Sequence, residues 1–171
     1  MNQRSLLALT TIAVFGISVL PSTAVSQQTS LKDQLVGTWT LVSAVDVQKD
    51  GTKVERWGPN PKGSLVFDGN GHYTLMIVRA DLPKFVSKAV DQGTADENKA
   101  VMKGIVAHFG TYSVNEADKT LTTRVEGSWF PNLTGTDQKR SIASLAADEL
   151  KYTNPATAFG TTAEVVWKRA K

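Results

Sequence analysis

The sequence predicts an all-β fold: an eight- to nine-stranded antiparallel up-and-down barrel with one helix inserted between the fourth and fifth strands. From residue 35 onward, short segments rich in Val, Ile, Thr and aromatic residues alternate with turns rich in Gly, Asp and Asn. One segment begins instead with a helix-capping motif. Closing many short strands into a barrel removes the exposed edges of an open sheet. We therefore expect a single barrel domain.

The first 26 residues are typical of a secretory signal peptide. Arg4 is their only charged residue, residues 6–20 are mostly apolar, and residues 21–26 are mostly small. An apolar stretch of about 15 residues is shorter than the roughly 20 that span a bilayer, so cleavage after Ala24 or Ser26 is favoured over an uncleaved anchor. The expected organisation is a signal peptide at 1–26 and a barrel domain at 27–171, in a periplasmic or secreted protein with no stable membrane insertion after cleavage.

Four strands are predicted before the helix. Asp50-Gly51 and the Asp68–Gly71 turn supply residues that tolerate the positive φ angles of tight hairpins. Between them, Pro59 and Pro61 break the chain. The predicted strands are 35–47, 53–57, 64–67 and 72–79.

The helix is predicted from a Thr94-x-x-Glu97 capping box. Val101, Ile105 and the His108-Phe109 pair follow at helical spacing and predict an apolar stripe that continues to residue 109. The irregular segment before the helix, together with the helix, is expected at the barrel mouth, either as a lid over a ligand or as permanent cover. Further strands are predicted at 112–115, 120–128, 137–145, 150–153 and 161–168.

Composition excludes several classes of function. The net charge of +3 is spread along the chain, so no basic stripe for nucleic acid is present. The absence of cysteine excludes thiol catalysis and thiolate metal sites, and the two histidines lack zinc-site spacing. No Gly-x-Ser-x-Gly elbow, phosphate loop or dinucleotide fingerprint occurs. We expect neither a metal nor a cofactor.

A set of motifs resembles one family. Gly37-x-Trp39 at the start of the first strand resembles the lipocalin signature. The further motifs Trp57-Gly58-Pro59, Phe109-Gly110-Thr111-Tyr112, Phe130-Pro131-Asn132, Arg140 and Val166-Trp167-Lys168-Arg169 extend the resemblance to the bacterial lipocalin-like domain proteins, over essentially the whole mature chain. This resemblance implies a lipocalin or calycin-type barrel whose closed end is plugged by Trp39, with Arg140 or Arg169 stacked on the indole.

Strand alternation gives candidate lumen residues. If Trp39 points inward, then Leu41, Ser43 and Val45 follow it, and Tyr73 begins the matching set on the fourth strand. The candidate ligand-binding residues are Trp39, Leu41, Tyr73, Leu75, Ile77, Arg79, Phe109, Tyr112, Arg140 and Trp167. We expect a mostly apolar lumen that binds a small hydrophobic ligand.

Chemistry in the lumen is left open by the sequence. Glu126 and His108 are the candidate catalytic residues, with Tyr112 and Arg140 as further acid or base groups. A hairpin centred near Asn132 places Glu126 diagonally from Arg140, as a surface ion pair or as a buried cluster that contacts a ligand carboxylate or carbonyl. The leading hypothesis is an exported barrel, monomeric or weakly dimeric, that binds a small hydrophobic ligand. The alternatives are a barrel enzyme of the isomerase or cyclase type and a structural module with a packed interior.

Overall fold

A computed structural model describes residues 29–171. The predicted signal peptide therefore lies outside the described residues. The helices are α1 (Leu31–Leu35) and α2 (Ala95–Gly104). The strands are β1 (Gly37–Val47), β2 (Lys53–Val54), β3 (Lys62–Phe67), β4 (His72–Val78), β5 (Ile105–Asn115), β6 (Thr120–Ser128), β7 (Asp137–Leu145), β8 (Glu149–Asn154) and β9 (Thr162–Arg169).

Eight antiparallel strands close into a barrel. Strands β3 to β9 pair in chain order, β1 pairs with β3 on one side, and β1 also pairs with β9, which closes the sheet. The two-residue β2 is an extra strand that pairs with the end of β1 at Asp46 and Val47. The predicted fold class, including the helix between the fourth and fifth strands, is confirmed.

One end of the barrel is covered by α1. Ser30 caps this helix, and the carboxylate of Glu116, in the β5–β6 turn, accepts hydrogen bonds from the backbone of Leu31 and Lys32. Leu35 at the end of α1 is fully buried and joins the barrel core. We call this the closed end. The loops between β3 and β4, β5 and β6, and β7 and β8 lie at the same end, whereas the longer connections lie at the other end, the mouth.

A β-bulge in β1 reverses the predicted alternation along that strand. Leu41 pairs with Trp167 of β9, but the next paired residue is Ser43 with Val166. The extra residue shifts the inward face by one position, so Ala44 and Asp46 are buried. The prediction that Ser43 and Val45 face the lumen is wrong for this reason.

The helix prediction is correct at its start and wrong at its end. Both hydrogen bonds of the Thr94–Glu97 capping box form. Helix α2 nevertheless ends at Gly104, which packs closely against the side chains of Leu82 and Arg79. Residues 105–109 belong to β5 and pair with β4. The β-branched Ile105 and Val106 favour a strand, and the pairing with β4 outweighs the helical spacing.

Within residues 29–171, neither helix has the length and apolar character needed to cross a membrane.

Candidate ligand-binding site

The closed end of the lumen is sealed by Trp39 and Arg169. Trp39 is fully buried, and its Nε1 donates a hydrogen bond to the carbonyl of Leu35 at 2.8 Å. The Arg169 guanidinium lies 4.1 Å from the centre of the indole ring and donates to the carbonyls of Gln34 and Val36. Such a half-buried cation–π contact contributes about 0.5–2 kcal/mol. Of the two arginines predicted to stack on Trp39, Arg169 does so.

Above the plug, the lower lumen is packed solid. Its free volume is about 0 Å³. The side chains that fill it come from five strands: Leu65, Phe67, Tyr73, Leu75, Leu121, Thr123, Arg140 and Tyr152. This layer separates the closed end from the upper lumen.

The upper lumen holds a cavity of about 70 Å³. Its walls are mostly apolar, and a few polar side chains are placed among them. The lining residues are Ala44, Asp46, Trp57, Leu75, Ile77, Val106, His108, Trp129, Leu133, Gln138, Arg140, Tyr152, Asn154, Thr157, Ala158, Phe159, Ala163 and Val165. Apolar walls with few polar groups are typical of small-molecule sites.

Three aromatic residues surround the mouth of this cavity. The Phe159 ring meets the Trp57 ring edge-on at 6.0 Å and lies 6.5 Å from the Trp129 ring. Trp129 Nε1 donates to the carbonyl of Met102 at 3.5 Å, which links the mouth to α2. We call Trp57, Trp129 and Phe159 the aromatic rim. The rim gives an entering ligand a large apolar surface.

An ion pair holds the rim in place from inside the barrel. The carboxylate of Asp46, which is 2% exposed, forms an ion pair with Arg56 and accepts a hydrogen bond from the Thr161 hydroxyl at 3.0 Å. The guanidinium of Arg56 lies 4.0 Å from the centre of the Phe159 ring. Asp46 therefore connects the chain around β2 to the loop that carries Phe159. The β1 bulge turns Asp46 inward to make these contacts.

Arg140 lies at the floor of the cavity and is only 4% exposed. Its Nη1 donates to Thr123 Oγ1 at 2.6 Å and to the carbonyl of Gln138 at 3.3 Å. Its guanidinium carbon lies 5.6 Å from the centre of the Tyr152 ring. No carboxylate of residues 29–171 forms an ion pair with it.

His108 lies beside Arg140 and bonds to Tyr73. Its Nδ1 is 2.8 Å from the Tyr73 hydroxyl, and the side chain is 6% exposed. Burial and the neighbouring charge of Arg140 lower the pKa of His108 to about 3. The imidazole is therefore neutral at physiological pH and is a weak base.

Four of the predicted site residues line the cavity: Leu75, Ile77, His108 and Arg140. Tyr73 lies in the packed layer below it. Trp39, Leu41, Tyr112 and Trp167 are buried in the core outside the cavity lining. The Tyr112 hydroxyl donates to the carbonyl of Asp68 in the β3–β4 turn, which places it at the closed end.

Three other predicted residues lie outside the lumen. Phe109 is 54% exposed on the outer barrel face, because its side chain points opposite to that of His108 on the same strand. Arg79 follows the end of β4 and forms an ion pair with Asp81. Glu126 is exposed at a β-bulge opposite Phe109 and Gly110, and register places Leu121, not Glu126, across from Arg140. The expected juxtaposition of Glu126 with Arg140 is wrong.

The segment before α2, and α2 itself, contribute no residue to the cavity lining. The β4–β5 connection lies at the mouth as expected, but of residues 80–109 only Val106 and His108, both on β5, line the cavity. At the mouth, the cavity is lined instead by the aromatic rim: Trp57, Trp129 and Phe159. Trp57 belongs to one of the sequence motifs named above, but its contact with Phe159 becomes visible only in the folded barrel. Ala44 and Asp46 were missed because the β1 bulge carries no clear sequence signal. Ala163 was missed although alternation with Val165 and Trp167 on β9 places it on the inward face.

Comparisons with known proteins cover both sequence and structure. A sequence profile described as a lipocalin-like domain matches residues 36–170. A search of curated proteins finds no match. Among solved structures, the chain is similar to a lipocalin-like protein from Bacteroides uniformis, with 13% identity and a TM-score of 0.44 over 80% of this chain and 99% of that one. It is also similar to a redesigned β-barrel, with 13% identity and a TM-score of 0.43 over 84% of this chain and 100% of that one.

The profile match covers most of the chain and includes Gly37, Trp39 and the stacking partner Arg169. The resemblance inferred from the sequence motifs is thereby confirmed. The chain belongs to the lipocalin-like domain family.

Proposed function

We propose that this protein binds a small, mainly apolar ligand in the upper lumen and that the ligand enters past the aromatic rim. The observation that carries the proposal is the cavity of about 70 Å³ above a solidly packed layer. A lumen that served only as core would be packed along its whole length, since protein interiors contain few voids larger than a water molecule.

Binding is favoured over catalysis by the chemistry of the cavity. An isomerase or cyclase would need a general acid or base with a pKa near the working pH. His108, with its pKa lowered to about 3, is a poor base, and Asp46 is occupied by its ion pair with Arg56. Glu126, the other candidate, lies outside the cavity. The described residues thus supply orientation and apolar contact rather than proton transfer.

The size of the cavity limits the ligand. A cavity of about 150 Å³ lined by apolar side chains holds a molecule such as benzene, and this one is about half as large. We infer that one end of the ligand occupies the cavity while the remainder lies against the aromatic rim. A short alkyl chain fits this arrangement.

Filling the cavity is expected to abolish binding. Ala163 lines the cavity and is buried, so Ala163→Leu places a larger side chain in the binding space. Isothermal titration of purified protein with 1-hexanol should show binding by the wild type and at least ~10-fold weaker binding by Ala163→Leu, a loss of about 1.4 kcal/mol.

The matched control is Ala143→Leu, the same change at an exposed position on β7. It should bind 1-hexanol like the wild type. Equal binding of 1-hexanol by the wild type and by Ala163→Leu would show that the alcohol binds outside the lumen and would overturn the proposed function.

We also propose that the protein is exported and acts outside the cytoplasm. This proposal rests on the signal-like residues 1–26, with their single charge at Arg4. Intact-mass measurement of protein recovered from the periplasm or medium of a bacterial expression host should give a chain that begins at residue 25 or 27. Recovery of the full-length chain from the cytoplasm alone would contradict export.

A further inference from the structure

The charge balance of the lumen is unusual. Asp46 and Arg56 neutralise each other near the mouth. Arg140 carries the remaining charge of the cavity, and no acidic side chain of residues 29–171 is paired with it. A buried guanidinium without a counter-charge is costly, because burial removes the water that would solvate it. The cavity therefore carries one uncompensated positive charge.

The hydrogen bonds of Arg140 leave part of its guanidinium free. Both hydrogen bonds come from Nη1, to Thr123 and Gln138. The Tyr152 hydroxyl is also within hydrogen-bonding reach of the guanidinium, and the remaining Nε and Nη2 donors have no other partner among the described residues, although the side chain lines the cavity. Nη1 is thus anchored in the barrel wall, and the other donors remain available to a ligand.

The buried groups beside Arg140 are neutral, and the one acidic side chain that acts electrostatically on the neighbouring Tyr73 hydroxyl, Glu126, is exposed. The imidazole of His108 carries no charge at physiological pH. Burial raises the pKa of the hydroxyls of Tyr73 and Tyr152, so both remain protonated. Hydroxyl and imidazole groups can exchange hydrogen bonds with an anion but cannot neutralise Arg140. A single negative charge is what this site lacks.

We propose that Arg140 binds the carboxylate of a monoanionic ligand whose apolar tail points to the aromatic rim. The inference rests on the proposed function, since it names the class of ligand that the same cavity takes. A planar carboxylate accepts two parallel hydrogen bonds from a guanidinium fork. It also carries one charge, whereas a phosphate monoester would leave an excess negative charge in a buried site.

The walls are consistent with this orientation. Above Arg140 the cavity is bounded by Ile77, Val106 and Ala163, which offer only apolar contacts. Farther out come Trp57 and Phe159 of the rim. A short-chain carboxylate would place its head at the floor and its alkyl chain along these walls.

The test compares hexanoate with 1-hexanol, which have the same chain length but differ in charge. By isothermal titration at neutral pH, the wild type should bind hexanoate at least ~10-fold more tightly than 1-hexanol, because a charge-assisted bidentate pair is stronger than a neutral hydrogen bond. Arg140→Gln should remove this preference, so that its affinities for hexanoate and 1-hexanol agree to within about twofold. Hexyl phosphate should bind more weakly than hexanoate.

Arg124→Gln is the matched control, because Arg124 lies on β6 with its side chain exposed and paired with Asp137. It should keep the wild-type preference. Arg140→Met, which retains much of the apolar stem, is a second variant if Arg140→Gln does not fold, and it should likewise lose the preference. Near-UV circular dichroism confirms the fold of each variant.

The outcomes separate the two proposals. If the wild type binds 1-hexanol as tightly as hexanoate, or if Arg140→Gln keeps the preference, the carboxylate inference is overturned while the apolar binding site stands. Tighter binding of hexyl phosphate than of hexanoate would also overturn it. If the wild type binds none of the three probes, the proposed function itself fails.

Discussion

Replacing Gly110 with alanine is expected to destabilise the protein by about 4 kcal/mol or more, since the added methyl group would overlap backbone atoms that no rotamer change can move. Gly110 lies on β5 opposite the β-bulge of β6. A Cβ at this position would overlap the carbonyl oxygen of Arg124. Urea unfolding followed by far-UV circular dichroism measures the loss.

Gly69→Ala is the control for this substitution. Gly69 lies in the β3–β4 turn, where an added Cβ meets no atom within 4 Å and the backbone φ is ordinary. Its stability should match that of the wild type. A Gly110→Ala variant as stable as Gly69→Ala would show that β5 and β6 do not approach each other as described.

Acid is expected to destabilise the protein through His108. The pKa of His108 is lowered from 6.5 to about 3 in the folded chain, so between these values the unfolded chain binds a proton that the folded chain does not. The free energy of unfolding is therefore highest above about pH 6.5 and decreases as the pH falls toward 3. Between about pH 7 and about pH 4 the decrease due to His108 amounts to about 3 kcal/mol. Urea unfolding at the two pH values should show this loss in the wild type.

The two histidines of the chain allow a direct comparison. His108→Gln should remove the His108 part of the acid effect, leaving only the smaller dependence due to carboxylates. His72→Gln, a change at an exposed position, is the matched control and should retain the His108 part of the acid effect. Equal acid sensitivity of the wild type and His108→Gln would contradict the burial of a neutral imidazole.

Features set by local sequence were predictable. The Thr94–Glu97 capping box satisfies backbone N–H groups at a helix start with its own side chains, and α2 starts there. The turn at Asp68–Gly71 likewise needs only its own residues, since Asp68 accepts a hydrogen bond from the His72 backbone. Trp39 and its place at the closed end could be inferred from the motif at the start of β1.

Features set by pairing between strands were not predictable from one chain. The bulge after Leu41 depends on how β9 aligns with β1, and it decides whether Ser43 or Ala44 lines the lumen. The strand at Ile105 forms because β4 offers a partner, which helical periodicity cannot reveal. The lining of the cavity depends on the β1 bulge and on the β4–β5 pairing. The bulge directs Asp46 into the lumen, and the pairing directs His108 into it.

Because β1 pairs with β9, the barrel cannot close before the last strand has been synthesised. The first and last strands are joined by contacts of the longest sequence separation in the fold, and such contacts form slowly. A growing chain that lacks β9 would expose the unpaired edges of β1 and β8. A truncation within β9 should therefore yield an aggregation-prone chain rather than a smaller barrel.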